Sequence, residues 1–200
     1  MIPTGGVSAF ISDFDDTTDI QAISDDSPGS QLLIAAEKGD LATAQRILLE
    51  TPSSLNARDP DGYTPLHRAT YEDHIDIVQL LLSNGADPRW KTEDGWEPIH
   101  CAARWGCARS MDLLLRHPKV DINALTNGGL TPLHIVASTT EDGSLETAQC
   151  LLLHPSLDWS IKSKADETPY QIARRTSGPM CSLFETCLPC INELTPTKTD

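Results

Sequence analysis

Three histidines recur at one place in a repeating phrase, at His67, His100 and His134, and imidazoles at fixed spacing could form a ladder of metal ligands. Each follows a proline by two residues and Thr64, Glu97 or Thr131 by three, which puts it in the first turn of a helix. There the ring can bond backbone groups and the preceding threonine, so a structural role is expected. Cys187-Leu188-Pro189-Cys190, with Cys181 nearby, could bind metal or respond to redox state, but it lacks a second pair at zinc-finger spacing. Cys101, Cys107 and Cys150 fall at apolar helical positions, where a buried thiol is inert. No Ser-His-Asp arrangement, glycine-rich phosphate loop or paired-acid motif stands out. The expectation is a chain with no enzymatic activity, no cofactor and no metal. The alternative is a redox- or metal-responsive protein acting through Cys181, Cys187 and Cys190.

The elements that carry these residues follow from a period. Tyr63-Thr64-Pro65-Leu66-His67-Arg68-Ala69 returns as Trp96-Glu97-Pro98-Ile99-His100-Cys101-Ala102, as Leu130-Thr131-Pro132-Leu133-His134, and as Glu167-Thr168-Pro169-Tyr170-Gln171, with the prolines 33, 34 and 37 residues apart. Thr64 and Thr131 sit where a hydroxyl caps a helix, and proline at the first helical position loses no needed donor. A short inner helix is predicted there, ended by left-handed Gly39, Asp73, Gly106 or Gly143. An outer helix follows, as in Ile77-Val78-Gln79-Leu80-Leu81-Leu82, ended by Gly85. Asp61-Gly62, Asp94-Gly95 and Gly128-Gly129 supply hairpin tips. The first repeat lacks the Thr-Pro start, with Leu33 in the histidine's register, and the last replaces the histidine by Gln171 and breaks at Gly178-Pro179. Extra polar residues from Ser138 to Ser144 predict an enlarged loop.

The T-P-L-H-x-A phrase and its period resemble the ankyrin-repeat superfamily over roughly residues 29–188. The fold expected is an all-α repeat solenoid of helix-loop-helix units with β-hairpin connections, about four repeats plus a C-terminal cap. Its segments are an acidic disordered stretch at 1–29, a capping repeat at 30–60, repeats at 61–93, 94–127 and 128–164, capping helices at 165–194 and a disordered tail at 195–200. Within the superfamily the nearest resemblance rests on Ile2-Pro3-Thr4-Gly5 before an acidic stretch, His74-Ile75-Asp76-Ile77-Val78-Gln79, Asp94-Gly95-Trp96, and Ile172-Ala173-Arg174-Arg175-Thr176-Ser177 with Leu183-Phe184-Glu185. It implies an intracellular, nuclear, non-enzymatic protein linked to transcriptional regulation.

Ankyrin arrays are similar in receiving partners on a concave face of hairpin tips and inner helices. The resemblance places Tyr63, Trp96 and Leu130 at the tips and Tyr71, Glu72, Arg104, Trp105, Ser138 and Thr139 on the helices. Arg68, Arg89, Lys91, Arg104 and Arg109 add local positive charge, and Trp90 stands where the repeat usually has a small residue. An acidic or aromatic peptide of a protein partner of unknown identity would suit that face. Asn123, in Val120-Asp121-Ile122-Asn123-Ala124 with Leu115 upstream, looks like the site that asparaginyl hydroxylases modify in such repeats.

The whole chain carries a net charge of −14, with 15 Lys and Arg against 29 Asp and Glu. That sign disfavours phosphates, so direct nucleic-acid binding is not expected. No apolar run approaches the ~20 residues of a membrane span and no secretory signal is visible, so an intracellular monomer without membrane contact is expected. Residues 1–29 hold Asp13, Asp15, Asp16, Asp19, Asp25 and Asp26 and no Lys or Arg, interleaved with Phe10, Ile11, Phe14, Ile20 and Ile23. That alternation is associated with disordered activation segments.

Overall fold

The computed structural model describes residues 26–194, with side chains through Cys187, so most of the acidic stretch, the tail after 194 and the side chain of Cys190 lie outside the described residues. Ten α-helices run in pairs: α1 Pro28–Lys38, α2 Leu41–Glu50, α3 Pro65–Tyr71, α4 Ile75–Ser83, α5 Pro98–Trp105, α6 Ala108–Leu115, α7 Pro132–Ser138, α8 Ser144–Leu152, α9 Pro169–Thr176 and α10 Gly178–Leu194. One 3-10 turn, Pro52–Asn56, follows α2. The odd-numbered inner helices stack in chain order, the outer helices α2, α4, α6 and α8 do the same, and α10 closes the end against α8 and α9. Among the described residues there is no strand.

The inner helices begin where the phrase predicts, because the cap is local chemistry. Thr64 accepts from the His67 amide through its hydroxyl, while its own N–H donates to His67 Nδ1 at 3.1 Å; Thr131 and His134 repeat the pair. Thr168 and Gln171 build the same box, with Gln171 Oε1 accepting from the Thr168 amide at 2.8 Å. Before α5 the capping position holds Glu97, whose amide donates to His100 Nδ1 at 3.0 Å. The first repeat departs from expectation. Its helix starts a turn earlier, at Pro28, capped by the Ser27 hydroxyl, so Ser-Pro does there what Thr-Pro does elsewhere.

Each helix is too short to stand alone and is held by its apolar face. Leu32, Leu66, Ile99 and Leu133 on the inner helices, and Ile47, Leu81, Leu114 and Leu151 on the outer ones, are all almost completely buried. Each contributes about 2 kcal/mol by leaving water. The core has two parts: one spans the first two repeats, the other runs from Ile99 to Phe184, and Leu82 packs against both.

The connections are hydrogen-bonded turns rather than strand pairs. Thr92 donates to the Trp96 carbonyl and Gly95 to the Thr92 carbonyl, and the same two bonds recur at 59–63, 126–130 and 163–167. Neighbouring tips are joined by Glu93 to Asp61, Asn127 to Asp94 and Lys164 to Gly128, all between backbone atoms. The loop at 139–142 also differs from expectation: α7 ends at Ser138 with Thr139 extended, so Gly143 stands directly before α8 instead of ending the inner helix. α9 ends at Thr176, and Gly178-Pro179 stand at the first two positions of α10.

Candidate partner-binding face

The histidine ladder is wired to backbone at both ring nitrogens. Nδ1 of His67, His100 and His134 accepts from an amide in its own repeat, which leaves the proton on Nε2. Nε2 then donates forward along the chain at 3.1, 3.0 and 3.0 Å, from His67 and His134 to the Trp96 and Glu167 carbonyls of the next repeat and from His100 to the Ala124 carbonyl near the end of its own. Burial pushes His67 down to about 3 and His100 down to about 4, so both are neutral at physiological pH. With both nitrogens committed, these rings act as rivets, His67 and His134 between repeats and His100 across its own.

The cysteines are placed differently from one another. Cys101 and Cys107 are buried, and burial pushes both thiols up to about 12, far from a reactive thiolate. Cys150 is half-buried rather than fully enclosed. Cys181 and Cys187 lie on α10, and the Cys181 thiol, raised by desolvation and by its hydrogen bond to Glu185, is likewise a poor nucleophile. Among the described residues no group of three His, Cys, Asp or Glu could hold a metal.

The residues expected to receive a partner fall into three groups. At the ends of the inner helices, the Tyr71 and Trp105 rings of adjacent repeats meet at 4.6 Å between centroids. Arg104 lies over the Trp105 ring at 4.6 Å and reaches Thr139 and Glu141 on the enlarged loop, both at 3.4 Å. Glu72 caps α3 beside Tyr71 and Ser138 closes α7, so these residues form one aromatic and charged cluster across three repeats.

The second group is at the tips. Tyr63 packs edge-on against His67, and the Arg68 guanidinium lies over the Tyr63 ring at 4.9 Å while pairing with Asp59 at 2.7 Å and Glu37 at 3.8 Å. Trp96 and Leu130 are half-buried and pack against the core, so Trp96 is a packing residue as much as a surface one. Glu97, beside it, is buried with Lys91 at 3.7 Å, and burial pushes its carboxyl up to about 7 against the pull of Lys91.

The third group lies along the edge of the fingers: Arg89 pairs with Asp87 at 3.2 Å, and Trp90 and Lys91 are exposed. Sequence reasoning missed Arg58 and Leu125 here. Arg58 holds its guanidinium over Trp90 and donates to the Lys91 carbonyl, and Lys91 donates to the Leu125 carbonyl. The signal was available, since Arg58, Lys91 and Leu125 are 33 and 34 residues apart and share one register. Arg109 is exposed on α6, away from these groups. Asn123 bridges repeats, donating to Ser156 O at 2.8 Å and accepting from the Asp158 amide at 2.9 Å. Among the described residues no helix is long and apolar enough to cross a membrane.

Paired short helices, Thr-Pro caps, forward-bonding histidines and a residue-varied finger face define a repeat array, and the chain belongs to the ankyrin-repeat family. A profile of ankyrin repeats (3 copies) matches residues 17–92 and 84–164. The chain is similar to ankyrin repeat domain-containing protein 49 of Bos taurus, 40% identical over 203 residues, covering 96% of this chain and 84% of that one. To the Homo sapiens protein of that name it is 40% identical over 188 residues, 88% and 77% of the two chains. A 2-5A-dependent ribonuclease of Mus musculus is 40% identical over 70 residues, 35% of this chain and 10% of that protein. Ankyrin repeats are protein-interaction scaffolds and generally non-catalytic.

Proposed function

We propose that this chain is a non-enzymatic scaffold that binds a protein partner on the face formed by its finger tips and inner-helix ends. The observation that carries the reading is the Tyr71–Trp105 pair with Arg104 stacked on it, aromatic and cationic groups from adjacent repeats on the inner-helix row. Trp, Tyr and Arg dominate interface energetics, and a stacked cluster has little side-chain freedom left to lose. Arg68, Arg89, Lys91 and the exposed Trp90 extend it with charge suited to an acidic or aromatic peptide. The molecule acts as a monomer, in the nucleus, in transcriptional regulation, the setting that the resemblance read in the sequence implies, and the net charge of −14 speaks against direct contact with nucleic acid. Hydroxylation of Asn123 is part of the same reading. Intact-peptide mass from cells at normal and low oxygen tests it, and no difference of one oxygen would sink it.

Affinity capture from cell extract, comparing wild type with Trp105→Ala, tests the binding reading. The expected result is partners lost from a protein that still folds, at a lowered melting temperature, since Trp105 also packs on the core. Trp96→Ala removes a ring packed on the same core at a fingertip and should lower the melting temperature with the inner-helix partners retained. A partner set unaffected by Trp105→Ala in a folded protein would overturn the inner-helix reading. Fluorescence imaging of the tagged full chain tests the nuclear setting, and exclusion from nuclei would refute it.

A further inference from the structure

The edge of the fingers carries a prearranged strip of positive charge and apolar surface. Arg58 lies 5.4 Å from the Trp90 ring centroid, donating Nη2 to the Lys91 carbonyl at 2.9 Å and Nε to the Gly62 carbonyl at 3.4 Å. One repeat on, Lys91 donates Nζ to the Leu125 carbonyl at 3.0 Å. Both side chains are thus stretched along the strip by carbonyl groups, which orient the cations; Lys91 also has the Glu97 carboxylate at 3.7 Å on one side. Trp90 and Leu125, 40% and 44% accessible, are among the few large apolar side chains the described surface leaves open. An aromatic ring, a leucine and two fixed cations in a row suit a chain that alternates acids with apolar residues.

Such a chain begins at the foot of the strip. Gly29 backs so closely on the first finger that a Cβ there would lie 2.8 Å from that of Ala57, so the described chain starts close to Ala57, the neighbour of Arg58 in sequence. The residues ahead of Asp26 include Asp13, Asp15, Asp16, Asp19 and Asp25, no Lys or Arg, and Phe10, Phe14 and Ile20. We propose that residues 10–25 of this chain lie along the Arg58–Lys91 strip, carboxylates against the two cations and apolar side chains against Trp90 and Leu125. The reach is ample: this stretch extends up to about 50 Å, and three stacked repeats about 8–10 Å apart span about 20 Å. Tethered so closely, the segment acts at an effective concentration of order millimolar, so weak contacts suffice. The array then covers its own finger edge until a competing acidic partner displaces the segment. Self-docking stands or falls separately from the partner-binding reading, because its test needs no partner.

Zero-length carbodiimide coupling on the full chain, mapped by mass spectrometry, tests it. Lys91 should join Asp13, Asp15, Asp16 or Asp19 within one molecule, at several-fold higher yield than the exposed Lys38 and Lys119 do. At about 1 M salt, where the screening length is about 3 Å, those products should disappear. Lys91–Glu97, already 3.7 Å apart, serves as the internal control for reactivity. In parallel, the 5-fluorotryptophan resonance of Trp90, assigned with Trp90→Phe, should shift when Asp13, Asp15, Asp16 and Asp19 are all changed to Asn. Control coupling without the acidic products and an unmoved Trp90 resonance would overturn the proposal. So would equal coupling to Lys38 and Lys119, or products found only between isotopically distinct molecules, which would mean a second copy.

Discussion

Glu97 occupies the position where Thr64, Thr131 and Thr168 cap their helices, and a buried carboxyl there is a liability with a pH signature. Its ordinary value is 4.5, and in the folded chain burial raises it to about 7. Below 4.5 both states carry the proton; as pH rises toward 7 the unfolded chain releases it first, so stability falls by up to ~1.4 kcal/mol per pH unit and then levels off. Glu97→Thr restores the cap hydroxyl and removes the buried acid. It should stabilise the protein by roughly 2 kcal/mol at pH 8 and by much less at pH 4.5, read from urea unfolding midpoints at the two pH values. The histidines work in the opposite sense. His67 and His100 are held near 3 and 4 against an ordinary 6.5, so their stabilisation is complete above 6.5 and is lost as pH falls toward those values. His100→Gln, which keeps an acceptor as Gln171 does, should flatten the acid limb of the stability curve while lowering stability at pH 7 through the lost bond to Ala124.

Two glycines separate backbone strain from crowding among the elements. Gly85, after α4, has φ +90° and nothing within 4 Å of a would-be Cβ, whereas Gly106, after α5, has φ +67° and a Cβ there would press on the Asp142 carbonyl and lie 2.9 Å from the Ser144 amide. Gly85→Ala should therefore cost only the left-handed penalty, about 1–2 kcal/mol, and Gly106→Ala visibly more, because the 139–142 loop must move. Equal losses in thermal unfolding would mean that the loop yields freely. These turns were legible in sequence because their conformation is set by the residue itself. The caps were legible for the same reason, and the exception shows the limit. Ser27-Pro28 carries the right chemistry but stands one turn upstream of the aligned register, so alignment to the other repeats passed over it. That Trp96 packs between repeats was one of two readings the sequence allowed, and the choice depends on the core that the neighbouring repeats build around it.

Over the whole molecule the two-part core, joined through Leu82, predicts that cooperativity is weakest between the second and third repeats. Leu82→Ala should destabilise the array and also separate amide exchange of α1–α4 from that of α5–α10; a uniform rise in exchange would contradict this. The candidate face was legible as a set of registers, because a period maps sequence positions onto one surface, but not as a set of contacts. Arg58 joins it through its seat on Trp90 and its bond to the Lys91 carbonyl, and Tyr71 meets Trp105 only when two helices stack. The bonds that join one fingertip to the next include a backbone set, Glu93 to Asp61, Asn127 to Asp94 and Lys164 to Gly128, beside side-chain bonds such as that from Asn127 Nδ2 to the Glu93 carbonyl. Because the backbone set asks for no particular side chain, evolution can rewrite much of what this surface recognises while the spacing of its tips is kept.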